Sequence, residues 1–158
     1  MQTPWGSFQG VIYRDKPTGR AHLALVKGQP RPDTETLVRV HEPLSVLDLL
    51  ESARTTHSWS LPAALEVLHG AEQGVMVLLN VGDSPEQLFS QFAALDAPQD
   101  RPRRKPDLRT YGMGAQILRD LGVGKMRVLG SPQKMPSMTG YDLEVTGCQP
   151  MHGEANCD

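Results

Sequence analysis

Cysteine is nearly absent. The 158 residues hold two, Cys148 and Cys157, both near the C-terminus. A bridge between them would close a short tail loop and staple no core, so the usage points to a reducing, cytoplasmic compartment. Aromatic residues make up only 5% of the chain, which leaves little for a base-stacking surface. Net charge is -2 and the pI about 6.2, so no global positive field draws the chain to nucleic acid or to a membrane. No apolar run approaches the roughly 20 residues of a membrane helix. The opening MQTPWGSFQG has neither the basic nor the apolar region of a signal peptide. No internal repeat is visible.

What remains is globular: 39% hydrophobic and 22% charged, with a length that suits one domain with a real core. Residues 5–28 read as a β-pair. Phe8, Val11, Ile12 and Tyr13 suit a half-buried strand, and Asp15 to Arg20 (DKPTGR) is turn chemistry. The run AHLALVKG places His22, Ala24 and Val26 on one face and Leu23, Leu25 and Lys27 on the other. His22 reads as a partly exposed strand residue. After the Pro-rich loop 28–34, TLVRVHEPL alternates Leu37, Arg39 and His41 against Val38 and Val40. That predicts a third strand, ended by Pro43.

A short helix is expected over Val46 to Leu50. A better specified one carries Leu61, Ala64, Leu65 and Leu68 on one face, with Ser60 as N-cap, Pro62 in the first turn and Gly70 at the end. Val75 to Leu79 predicts a strand covered on both faces. Ser84, Pro85 and Gln87 open another helix, with Leu88, Phe89, Phe92 and Leu95 as its apolar face. Ala97 to Pro106 carries four cations and three prolines and reads as a loop.

The densest stretch is 107–145, DLRTYGMGAQILRDLGVGKMRVLGSPQKMPSMTGYDLEV. Ala115, Ile117, Leu118 and Leu121 stripe a helix, and Gly122 is placed to cap it with Val123 behind. Met126, Val128 and Leu129 form a short buried strand, and Tyr141 to Thr146 a last one. The fold class is therefore α+β: a mixed β-sheet with packed helices. The domain is expected over residues 3–146, with 147–158 as a loose tail.

Several of these stretches together resemble GTP cyclohydrolase II, the zinc enzyme that opens riboflavin biosynthesis. They are TPWGSFQGVIYRDKPTGRAHLALVKG, LVRVHEPL, DLRTYGMGAQILRDLGVGKMRVL and KMPSMTGYDLEVTG, covering most of residues 3–146. The D-x-R-x-Y-G-x-G-A-Q-I-L run is specific. The family hydrolyses GTP to formate, pyrophosphate and a diaminopyrimidine, using a zinc ion held by three cysteines to activate water. The resemblance places those cysteines at Leu44, Thr55 and His57, of which only His57 is a good zinc ligand. The family's Gln-Glu-Gly-Arg loop is also missing after the LLN of the buried strand.

The triphosphate-facing groups match better. By resemblance, Asp107 and Arg109 fall on the family's aspartate and arginine, the arginine being the proposed nucleophile at the α-phosphorus. Tyr111 falls on an aromatic position beside them, and Arg39 and Lys134 on phosphate contacts. The same residues admit structural roles: Asp107 as an N-cap, Arg109 in a surface ion pair, Tyr111 as core.

The resemblance thus implies a zinc-free, catalytically degenerate domain with no cofactor. It would be structural or regulatory for 3,4-dihydroxy-2-butanone 4-phosphate synthase, to which the family is habitually fused, and it implies a homodimer. The alternative is a GTP- or nucleotide-phosphate-binding enzyme that keeps pyrophosphate release through Arg109. Two other donor groupings, His41 with His57 and His69, and Cys148 with His152 and Cys157, are accounted for by ordinary histidines and a loose tail.

Overall fold

Two periodicities build the molecule, two-residue alternation in the strands and three-to-four-residue spacing in the helices. The computed structural model describes residues 1–41, 59–80, 85–94, 108–130 and 139–151. A short antiparallel ribbon, β1 (Gln2–Thr3) and β2 (Gly6–Ser7), leads in. Then come β3 (Gln9–Arg14), β4 (Ala21–Lys27), β5 (Glu35–His41), α1 (Leu61–Gly70), β6 (Gly74–Leu78), α2 (Pro85–Ala94), α3 (Leu108–Asp120), β7 (Lys125–Leu129) and β8 (Glu144–Gln149). The six longer strands form one sheet in the order β3-β4-β6-β5-β7-β8. β3, β4 and β6 pair antiparallel, whereas β6, β5, β7 and β8 pair parallel. The sheet is mixed, as its apolar central runs imply.

Alternation sorts the strand residues onto two cores. Leu25, Met76, Leu78 and Leu129 join Leu61, Ala64, Leu65 and Leu68 of α1 on one face. Ala24, Val26, Val38, Val75, Val77 and Val128 join Ala115, Ile117 and Leu118 of α3 on the other. Each fully buried leucine of these cores contributes roughly 1.5–3 kcal/mol relative to exposure.

The helix ends follow their chemistry. Ser60 caps α1, its hydroxyl accepting from Ala63 N–H at 3.3 Å, with proline in the first turn. Gly122 adopts φ +90° after α3. Its N–H reaches Arg119 O at 3.0 Å and that of Val123 reaches Leu118 O at 3.0 Å, closing the last turn. The β3–β4 turn closes as its sequence implies, with Gly19 at φ +71°.

Four expectations need correction. His22 is 2% exposed, not partly exposed, because β4 is an interior strand and the residue faces the α3 side. Ile12 is 75% exposed, since β3 is an edge strand and this residue alternates away from Val11 and Tyr13. Phe89 and Phe92 of α2 are 75% and 66% exposed rather than buried. The last strand runs from Glu144 to Gln149, three residues later than alternation indicates, and Tyr141 lies in a 3₁₀ turn instead. A register shift at Met126/Arg127 accompanies this, and Cys148 becomes a core residue, 5% exposed and disulfide-bonded. The helix expected at 46–50 and the loop at 97–106 lie outside the described residues.

Candidate functional site

Parallel strands point their carboxyl ends at one edge of a sheet, and ligands of open α/β sheets bind outside that edge. Here the edge is formed by His41 of β5, Leu78 at the end of β6 with Leu79 and Asn80 after it, and Leu129 and Gly130 at the end of β7. α3 runs antiparallel to β5. An added Cβ on Gly114 would touch Val40 and Leu79 near the carboxyl edge, whereas Gly122 and Gly124 abut Pro30 and Pro32 ahead of β5. The first turn of α3, which holds Arg109, therefore opens at the same edge as the strand ends.

Arg39 is the one predicted site residue whose side chain is described. It is 6% exposed and its Nη1 donates to the Leu129 carbonyl at 2.9 Å. It pairs across to Met76, on the α1 face. α3 covers the opposite face. Arg39 and the residues of the first turn of α3 are thus separated by the sheet, and a ligand touching both would sit over the edge between β5 and β7. Arg109 and Tyr111 belong to α3 by their backbone. Asp107 and Lys134 lie outside the described residues, as do Leu44, Thr55 and His57.

The donor set does not fit a zinc ion at the positions where the resemblance puts its cysteines. Leucine offers no ligand atom, and threonine a weak one. Among the described residues, no group of three or more His, Cys, Asp or Glu side chains could hold a metal. His41 and His69 are not neighbours. His41 pairs with Leu78 at the carboxyl edge, whereas His69 ends α1 and meets the Phe8 ring at 5.7 Å at the amino edge. Four strand residues separate those levels, about 13 Å.

Two edge residues escape the motif reading. Trp59, 4% exposed, donates Nε1–H to Gln149 O at 2.9 Å, fastening the start of α1 to the end of β8. Its position just before the Ser60 cap, against Ala64, is the signal for a hydrophobic staple. His22 sits level with Leu79 on the α3 face, and its Nδ1 accepts from Asn80 N–H at 3.0 Å. Burial pushes the His22 imidazole below its ordinary pKa, with Asp15 pulling it up and Arg20 pushing it down. Its membership of the Ala24–Val26 face was the available signal. At the opposite edge, hydrogen bonds from Thr146 and Arg127 lower the Glu35 carboxyl.

The chain is similar to known proteins over most of its length. A family model described as GTP cyclohydrolase II matches residues 1–150. A 3,4-dihydroxy-2-butanone 4-phosphate synthase of Neisseria meningitidis is 51% identical over 147 residues, 93% of this chain and 39% of that protein. One from Photobacterium phosphoreum is 37% identical over 147 residues, covering 92% and 40%. The riboflavin biosynthesis protein RibBA of Aquifex aeolicus is 35% identical over 167 residues, covering 99% and 41%. The chain spans about two fifths of the length of these relatives.

Proposed function

Since the chain belongs to the GTP cyclohydrolase II family, we propose that it is a zinc-free, catalytically degenerate member serving riboflavin biosynthesis. Its role is that of a structural or regulatory module for a 3,4-dihydroxy-2-butanone 4-phosphate synthase, joined to it in one polypeptide. One observation carries the reading: Leu44, Thr55 and His57 stand where the family resemblance calls for three thiolates. Without those ligands no open metal position supplies water at lowered pKa, and hydrolysis of the purine ring loses its nucleophile. The names of the relatives support the same reading. The Neisseria and Photobacterium proteins, at 51% and 37% identity, carry the synthase name alone.

The purified chain incubated with GTP and zinc is expected to release no formate above a blank, and washed protein is expected to retain no stoichiometric zinc. Formate release would overturn the reading. The synthase partnership is tested by comparing synthase activity and thermal stability with and without this domain attached. Identical values would remove the proposed role. We expect a homodimer, and a light-scattering mass equal to the monomer would exclude it.

A second reading is favoured by the opening of α3 at the carboxyl edge of the parallel strands. On it, Arg109, helped by Asp107, retains pyrophosphate release, with Arg39, Tyr111 and Lys134 holding the nucleotide. Pyrophosphate without formate is its signature.

A further inference from the structure

Among the described residues, His22 is a buried histidine whose two ring nitrogens are treated unequally. His22 is 2% exposed. Its Nδ1 accepts from the Asn80 backbone, so in the neutral ring the proton resides on Nε2. That Nε2 finds no hydrogen-bond partner among the described residues. A buried donor left unpaired costs about 1–3 kcal/mol, so the ring is held here by what its other nitrogen does. Asn80 lies two residues past the end of β6 at the carboxyl edge, and its N–H lies just past the β6–β4 pairing, which ends at Leu78 and Leu23.

We propose that His22 is a protonation-sensitive latch: the neutral ring pins the Asn80 amide and so fixes the exit of the chain from β6, and protonation of Nδ1 releases it. Adding a proton to Nδ1 turns the acceptor into a donor facing another donor, so latch and charge are mutually exclusive. The surroundings do little to hold the charged ring. Asp15 and Arg20 lie in the adjoining turn and act in opposite directions. Tyr13, opposite His22 on β3, donates its hydroxyl to Asp120 of α3 at 2.7 Å, so that carboxylate is engaged. Leu79, just after β6, is apolar, and Met113, Ile117 and Leu118 present hydrocarbon from α3. Arg119 of α3 is turned to Asp142 at 3.5 Å.

The test is amide hydrogen exchange on the full chain, read by NMR from pH 7 to pH 5 and corrected for intrinsic rates. Asn80 is expected to lose protection on acidification. The ceiling is about 25-fold, set by an ordinary imidazole of 6.5 in the open state, while Val77 in the strand interior holds. His22→Asn, whose Oδ1 accepts without titrating, is expected to make the Asn80 profile flat. In the unmodified protein, ¹⁵N shifts of the ring report the tautomer directly, independently of whether the variant folds. Asn80 protection constant within about twofold over this range would overturn the proposal, as would a ring protonated at Nδ1 at neutral pH.

Discussion

Gly124 joins the cap of α3 to β7, and no side chain fits there. A Cβ at this position would lie 2.4 Å from Pro32 O, 2.6 Å from its Cα and 2.9 Å from its carbonyl carbon. All three are backbone atoms of the segment that enters β5, so relief requires moving a strand rather than rotating a side chain. Gly124 O also accepts from Glu144 N–H at 2.8 Å, which ties the same peptide to β8. Overpacking costs about 1–3 kcal/mol, and contact with fixed backbone puts this case at the upper end. Reduced unfolded-state entropy in Gly124→Ala returns only about 0.4–1 kcal/mol. The net expectation is a loss of about 2 kcal/mol, or a urea midpoint lowered by about 1 M at an m-value of about 2 kcal/mol/M.

The control is Gly70→Ala. Gly70 closes α1 and has open space around the position of a Cβ. The same chemical change there is expected to raise stability by about 0.5 kcal/mol. Opposite signs at the two sites would establish that crowding at Pro32 is the cause. A Gly124→Ala protein with an unchanged midpoint, or two variants shifted alike, would refute the argument.

Three further outcomes follow from particular contacts. Ser60→Ala removes the α1 cap and should cost about 1 kcal/mol in the same denaturation assay, with Ser60→Thr close to the parent protein. Stability should fall on acidification from pH 7 to pH 5, because below 6.5 the unfolded chain protonates residue 22 while the folded chain, with its pKa lowered by burial, resists. The contribution has a limiting slope of about 1.4 kcal/mol per pH unit, and it should be absent from His22→Asn, so that the difference between parent and variant isolates it. Where calorimetry detects GTP binding, Arg109→Ala should weaken it by about tenfold or more, the loss of one charge-assisted contact, and unchanged affinity would leave Arg109 a structural role.

The fold was legible where a pattern repeats. Leu61, Ala64, Leu65 and Leu68 mark α1, and Val75 to Leu79 mark a doubly covered strand, because burial on one or both faces writes itself as period or as run. β8 was misplaced by three residues because little of it is buried. Cys148 is its buried member, and backbone pairing of Leu129 with Gln149 rather than a hydrophobic stripe sets its end. His22 was misread because polarity was weighed above position. It shares a face with Ala24 and Val26, and the sheet neighbours that bury it are distant in sequence. Phe89 and Phe92 show the converse: an apolar helix face predicts that something covers it, not that this chain does. As for the site, alternation correctly set Arg39 against Val38 and Val40, but no periodicity indicates that α3 lies across the sheet from it.

The run from Arg109 to Leu118 carries the strongest family likeness, and much of it serves packing. Ala115 and Leu118 are 1% exposed and Ile117 5%, all on the sheet. Such residues persist as long as the fold does, whether or not ligands are retained at Leu44, Thr55 and His57. Gly114 is different. It lies inside a helix, where glycine costs about 1 kcal/mol relative to alanine, and its φ is not in the left-handed region. Its neighbours leave room, since an added Cβ would be 3.5 Å and 3.8 Å from Val40 methyls and 3.8 Å from Leu79, ordinary contact distances. Packing therefore gives no reason for glycine. Gly114→Ala should raise stability by about 0.5–1 kcal/mol and fill a gap against β5. Thermal or urea unfolding decides it: a destabilised variant would mean that α3 sits closer to the sheet than this spacing indicates, and would return the glycine to the packing residues around it.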